Sequence, residues 1–224
     1  SAIEIVVNST PEPVKINNAL VKEKVQIQMA IFDKNGDFHY DIISAFIKSI
    51  RGSDPNAAIY WLARMIDGGE DVKFIARRML ILASEDIGNA NPNALVMANS
   101  TFQAVNVIGL PEARIPLSQC AIYLAGSEKS NSSYIAINKA QRKVDETGAL
   151  SVPFALRNAP NKLMSGVEGV KEYQYAHDHE NKFVDIEFLP KSLEGYRFYE
   201  PAENIKENQI RKFLKFRWKK KYDY

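Results

Sequence analysis

The stretch His39–Asp71, HYDIISAFIKSIRGSDPNAAIYWLARMIDGGED, leaves a chain little choice of fold. Ile42, Ile43, Phe46, Ile47 and Ile50 recur at spacings of three and four, which draws one apolar stripe down a helix. Gly52 is expected to end that helix, since a residue without Cβ turns left-handed at no steric cost. Asp54 offers a side-chain cap, and Pro55 suits the first position of the next helix, where no N–H is needed. Ala58, Ile59, Leu62, Met65 and Ile66 form the second stripe, and Gly68-Gly69 stops it. So short a connection forces antiparallel packing. Every later helix must stack on this pair or leave its stripe in water.

The same punctuation continues. Asp71 to Glu85 carries Val72, Ile75, Met79, Leu82 and Ala83 on one face, and Gly88 ends it. Asn91-Pro92 supplies a cap and a first residue for a helix whose stripe is Leu95, Ala98, Phe102, Val105 and Ile108, closed by Gly109. Pro111 and Pro116 confine the following helix to Leu117–Ala125. Ser130 can cap another, from Asn131 to about Thr147, ending at Gly148. Upstream of the opening hairpin, IEIVV at 3–7 reads either as a short strand or as the tail of an upstream domain, and Val14–Ile31 as a helix, with a polar link turning at Asn35-Gly36. From Leu150 the texture changes. SVPFALRNAP is proline-broken, and Lys162–Gly166 reads as a short helix. FVDIEF alternates like a strand, and YRFYEP reads as a second strand or an extended arm. Ile205–Tyr224 is a last helix with Ile210, Phe213, Leu214 and Trp218 on one side. The fold expected is mainly α, of stacked antiparallel helical hairpins, with an irregular C-terminal extension holding short β segments and a last helix. No fixed period of identities recurs, so it is not a repeat array.

At 224 residues, 46% hydrophobic and 25% charged, the chain can bury a core, and its net charge of +2 does not advertise a polyanion partner. Any basic surface must be local. The one cysteine, Cys120, lies within apolar LSQCAIYLA and is expected to be a buried core thiol. No apolar run reaches transmembrane length and no basic-then-apolar leader opens the sequence, so no membrane partner and a cytoplasmic setting are the default.

Chemistry is sparse. The sequence holds no G-x-x-x-x-G-K-[ST] loop, so this chain is not expected to bind or split ATP by itself. Glu85-Asp86 point about a hundred degrees apart on a helix and converge poorly on a substrate, so a charged helix end or partner contact is the plainer role. His177-Asp178-His179 could ligate a metal only from a regular extended segment, and no further Cys or His supports it. Ser130 with His177 and an Asp lacks any nucleophile elbow. Tyr60, Trp61 and Arg64 share one helix, where an aromatic more often serves a core or a subunit interface than base stacking.

HYDIISAFIKSIRGSDPNAAIYWLARM resembles the signature that follows the ATPase module in the replication-associated recombination protein A family (RarA, or MgsA), which includes the eukaryotic Werner-helicase-interacting protein. ASEDIG, EKSNSSYIAI, RNAPNKLM and the YAHD of YQYAHD are similar to further family segments, and the likeness runs from about Ile16 to Tyr199–Pro201. The resemblance implies part of a clamp-loader-like AAA+ ATPase that maintains replication forks and serves recombination and repair. It implies the end of the ATPase lid and a linker over 1–38, a helical oligomerisation collar over 39–149 and a C-terminal extension over 150–224. It implies self-association, as a homotetramer, with DNA and single-strand-binding protein as partners. ATP and Mg would belong to the upstream module; no catalytic, cofactor or metal residue is carried over. The positions it marks as interface or motif groups are Phe46, Arg51, Asp54, Tyr60, Trp61, Arg64, Asn131, Arg157 and Asn158.

One charge cluster stands apart from the resemblance. Lys212, Lys215, Arg217, Lys219, Lys220 and Lys221 crowd the last helix. They suit the negative end of a helix dipole, and equally a phosphate backbone or an acidic peptide. Three functions therefore compete: an assembly collar, a sequence-independent DNA-binding module on this helix, and an enzyme built on His177 and Asp178.

Overall fold

The computed structural model describes residues 37–157 and 173–224. The expected strand at 3–7, the helix at 14–31, the turn at Asn35-Gly36 and the short helix at 162–166 lie outside the described residues, as does Asn158. Seven α-helices are described: α1 (Asp37–Arg51), α2 (Pro55–Asp67), α3 (Val72–Leu82), α4 (Asn93–Ile108), α5 (Arg114–Ala125), α6 (Ser132–Thr147) and α7 (Ile205–Trp218). The mainly α expectation holds. The chain forms two compact units, Ser1–Lys129 and Ser130–Tyr224.

In the first unit α1 packs on α2, α3 on α4, and α5 against α2 and α4. Phe46, Ile50, Met65, Ile75, Met79, Leu82, Ile87, Leu117 and Leu124 are fully buried, each side chain stabilising by roughly 1.5–3 kcal/mol. The caps follow the sequence with one correction. Asp54 accepts from the Ala57 N–H at 2.9 Å, and Pro55 opens α2. The left-handed residue that ends α1, however, is Ser53 (φ 61°), not Gly52. Asp54 N–H reaches Ser49 O at 2.9 Å and Ser53 N–H reaches Ile50 O at 3.0 Å. That is the paired closure of a Schellman turn. Gly52 keeps a helical place instead, where a Cβ would lie 3.1 Å from the Lys48 carbonyl.

Three further helices depart from expectation. Beyond α3 the chain widens into a π turn, Ala83–Ile87, with the Gly88 N–H on Ala83 O five residues back. The helix α5 begins at Arg114, because Pro116 falls in its first turn, where a missing N–H costs nothing. On α4 the buried residues are Ala94, Ala98, Thr101 and Val105, whereas Leu95 and Ile108 are exposed. Small side chains let α4 approach its neighbours closely, and that turns the larger ones outward.

In the second unit the short β segments are not found: among the described residues there is no strand. In a regular strand Phe183 and Phe188, five apart, would face opposite sides. Here both rings sit edge-on to Trp218, at 5.0 and 6.0 Å, and the bend that allows it is closed by Ile186 N–H on Val184 O. Around Arg197 the carbonyl accepts from the Lys139 ammonium at 2.5 Å rather than from a neighbouring strand. The last helix stops at Trp218, where Lys219 turns left-handed (φ 47°), and Phe213 is exposed rather than on the packed side.

Candidate functional site

The first unit presents an apolar exterior. On α4 the residues opposite the buried stripe are Val96 and Val107, 63% and 83% exposed, flanked by Leu95 and Ile108. Spaced eleven apart, the two valines share a face after three turns. On α5, Ile115 and Ile122 are about half exposed, two turns apart. Between α2 and α5 lies an open groove of about 710 Å³ lined by Ile59, Tyr60, Arg64, Arg114 and Ile115 among others. Tyr60 meets Trp61 edge-on at 5.0 Å, and the Arg64 guanidinium stands 5.9 Å from the indole.

Charged motif residues meet at one end of this unit. Arg51 donates to Asp86 through Nε at 2.6 Å and Nη2 at 3.2 Å, and Nη2 comes within 3.6 Å of Glu85. The π turn is what brings both carboxylates to one guanidinium; on a regular helix they diverge. Lys129 donates to Ser53 Oγ and to the carbonyls of Leu124, Ala125 and Ser127, at 2.6–3.1 Å. It thereby closes the end of α5 and pins the left-handed Ser53. Burial draws its pKa down, and the Asp86 charge partly offsets this. Asn91 does not cap α4 with its side chain; its amide donates to Tyr123 OH and Ser127 Oγ, both at 3.0 Å. Cys120 is buried, and burial pushes its thiol up to about 11 against a hydrogen bond with Thr101 that lowers it.

The second unit is organised on a buried carboxylate. Glu207 is fully enclosed. It accepts from Ser132 Oγ, from Tyr199 OH at 2.9 Å and from Asn204 Nδ2 at 2.7 Å. The Asn204 side chain in turn accepts from the Glu207 N–H at 2.9 Å and so caps α7, while the return bond runs from its own amide rather than from its backbone N–H as in a capping box. Burial alone raises the Glu207 pKa; the hydrogen bonds of Ser130, Ser132, Asn204 and Tyr199 outweigh it and hold the group below the usual carboxylate range. Sequence reasoning missed this group, although the spacing Asn204-x-x-Glu207 ahead of a helix was its signal.

The residues marked from sequence divide. Phe46 is core, with no exposed area, so it serves the fold rather than an interface. Trp61 is partly buried against the core; Tyr60 and Arg64 face outward. Asp54 is the α2 cap and Asn131 is exposed at the start of α6. Arg157 is tied locally, with Nε on Val152 O at 2.8 Å and its guanidinium 4.1 Å over Phe154. Of the basic residues of α7 and the turn after it, Lys221 is committed to Glu187 at 3.1 Å and rests on the Trp218 and Tyr222 rings. Arg217 sits among Phe183, Phe213 and Phe216. Lys212, Lys215, Lys219 and Lys220 are exposed, and among the described residues none of them is in an ion pair. His177 and Asp178 lie exposed on a surface turn, without the shielding acid–base chemistry draws on, and no metal-ligating cluster occurs among the described residues.

Comparison with known proteins gives two family matches. The model described as "MgsA AAA+ ATPase C terminal" covers residues 52–218, and "AAA C-terminal domain" covers 1–51. Replication-associated recombination protein A of Coxiella burnetii is 43% identical over 202 residues, 90% of this chain and 46% of the relative. The Bacillus subtilis protein of the same name is 40% identical over 210 residues, 92% of this chain and 50% of its own length. ATPase WRNIP1 of Dictyostelium discoideum is 41% identical over 172 residues, 76% of this chain and 20% of its own. The chain thus spans about half the length of the bacterial relatives.

Proposed function

This chain belongs to the MgsA AAA+ ATPase C-terminal family, and from that premise we propose that it is the region through which copies of a DNA-dependent AAA+ ATPase assemble and meet partners during replication-associated recombination. The observation that carries this is the outward face of α4: Ala94, Ala98, Thr101 and Val105 face the core while Val96, Val107 and Leu95 face water, with Ile108 exposed at the helix end. Apolar area of this kind costs about 25 cal/mol for each Å² left in water, which association recovers. A homotetramer is the assembly proposed, with ATP and Mg held by the ATPase module of the longer protein. DNA and single-strand-binding protein are its proposed partners, and the cytoplasm its setting. The test is the light-scattering mass of the chain over a range of concentrations. A multiple of 25.3 kDa is expected, falling to that of one copy in a Val96→Lys/Val107→Lys variant. A wild-type chain that stays monomeric throughout refutes the proposal.

A second reading has its own support. Lys212, Lys215, Lys219 and Lys220, exposed and in no ion pair among the described residues, favour contact with a nucleic-acid backbone. Such binding weakens steeply with salt and ignores sequence.

A further inference from the structure

We infer that the groove between α7 and the 180–185 turn binds single-stranded nucleic acid, seating one unstacked nucleobase that carries an exocyclic amino group. This rests on the second reading above and names the ligand it takes. The groove encloses about 420 Å³ and is lined by Phe183, Phe216, Arg217, Lys219, Glu180 and Asp185. Three features converge there. First, flat π surfaces are offered to solvent: Phe216 is 64% and Phe213 56% exposed. On a helix these two, with Lys212, fall within about a third of a turn of one another, opposite the buried Glu207. Second, the Arg217 guanidinium lies 5.6 Å from both Phe183 and Phe216, which line the groove with it, and 5.1 Å from Phe213 beside it, so a cation and aromatic rings are both within reach of a seated base. Third, Lys219 lines the groove, and the exposed Lys212 lies one turn before Phe216 on the same face of the helix, placed for phosphates.

Glu180 and Asp185 decide the class of occupant. Inside the groove the two carboxylates offset the charges of Arg217 and Lys219, so a phosphate or an acidic side chain gains no net attraction by entering it. A neutral base that offers amino hydrogens satisfies them, as carboxylates do when they accept from the cytosine amino group. A duplex cannot use the groove, because its base faces are already stacked on one another.

The experiment is fluorescence anisotropy of the whole chain at low salt. Its probes are labelled oligo-dC, oligo-dT, oligo-rC and a duplex, each about twenty nucleotides long. Oligo-dC is expected to bind several-fold tighter than oligo-dT; oligo-rC matching oligo-dC makes the ligand either nucleic acid, and lagging it makes the ligand DNA. Phe216→Ala lowers single-strand affinity about tenfold and leaves duplex affinity alone, while Phe216→Tyr restores it. Glu180→Ala/Asp185→Ala abolishes the dC preference. Equal binding of dC and dT, or a Phe216→Ala variant that binds single strands as the wild type does, overturns the inference while leaving the lysine reading standing. Unchanged binding after Lys212, Lys215, Lys219 and Lys220 are all neutralised overturns both.

Discussion

Removing Glu207 strikes the second unit where its segments are joined. Its carboxylate takes hydrogen bonds from α6 through Ser132, from the extended segment through Tyr199 and from the α7 cap through Asn204. A hydrogen bond to a charged group contributes about 1.5–3 kcal/mol. The three do not add, because Asn204 and Ser132 also bond elsewhere. Glu207→Ala takes an acceptor from the buried Ser132 and Asn204 side chains and from the half-buried Tyr199, and is expected to cost about 2–4 kcal/mol, at about 1–3 kcal/mol for each buried group left short. Glu207→Gln keeps one acceptor but turns an amide N–H toward the Asn204 amide, costing about 1–3 kcal/mol. Trp61→Phe leaves Trp218, on α7, as the single indole, so urea melts followed by its emission report this unit. The pH dependence has a defined sign. The native pKa lies below the unfolded value, so the group's stabilisation is complete above about pH 4.3 and is lost as pH falls through the native pKa. Glu207→Gln removes that part of the acid dependence. A Glu207→Ala midpoint equal to the parent's would refute the reasoning outright.

Two other expectations can be checked at the bench. A double-mutant cycle on Arg51→Ala and Asp86→Ala should give a coupling of about 1–2 kcal/mol, since the bidentate geometry strengthens a pair whose arginine is partly solvated; zero coupling would reduce the contact to decoration. Cys120, buried and with its thiol raised to about 11, should react with a disulfide reagent only as fast as the first unit opens; labelling within seconds in native buffer would contradict the burial.

The sequence disclosed most where a single rule governs. Three- and four-residue spacing placed α1, α2 and α3, and Asp54-Pro55 placed the start of α2 because capping and proline geometry act locally. It failed where tertiary contacts choose between local options. Hydrophobicity alone nominated Leu95 and Ile108 for the α4 core, but the side that packs is Ala94, Ala98, Thr101 and Val105, whose small side chains set the helix spacing. Ser53 holds a conformation more usual for glycine because a lysine 76 residues away meets its hydroxyl, which no local pattern announces. The alternation in FVDIEF was real, yet an extended run without a neighbouring strand follows its aromatic contacts instead. The lysines of α7 were visible as charge; that Lys221 is occupied and Phe213 outward required the folded helix.

The two sides of α4 answer to different demands. Its inward side is already made of nearly the smallest residues, so variation there can do little except harm packing. On its outward side Val96 and Val107 are mostly exposed, so packing among the described residues asks little of them. Exchanges such as valine for threonine at positions 96 and 107 therefore change how much apolar area the helix shows to water while the melting point of the chain stays where it was.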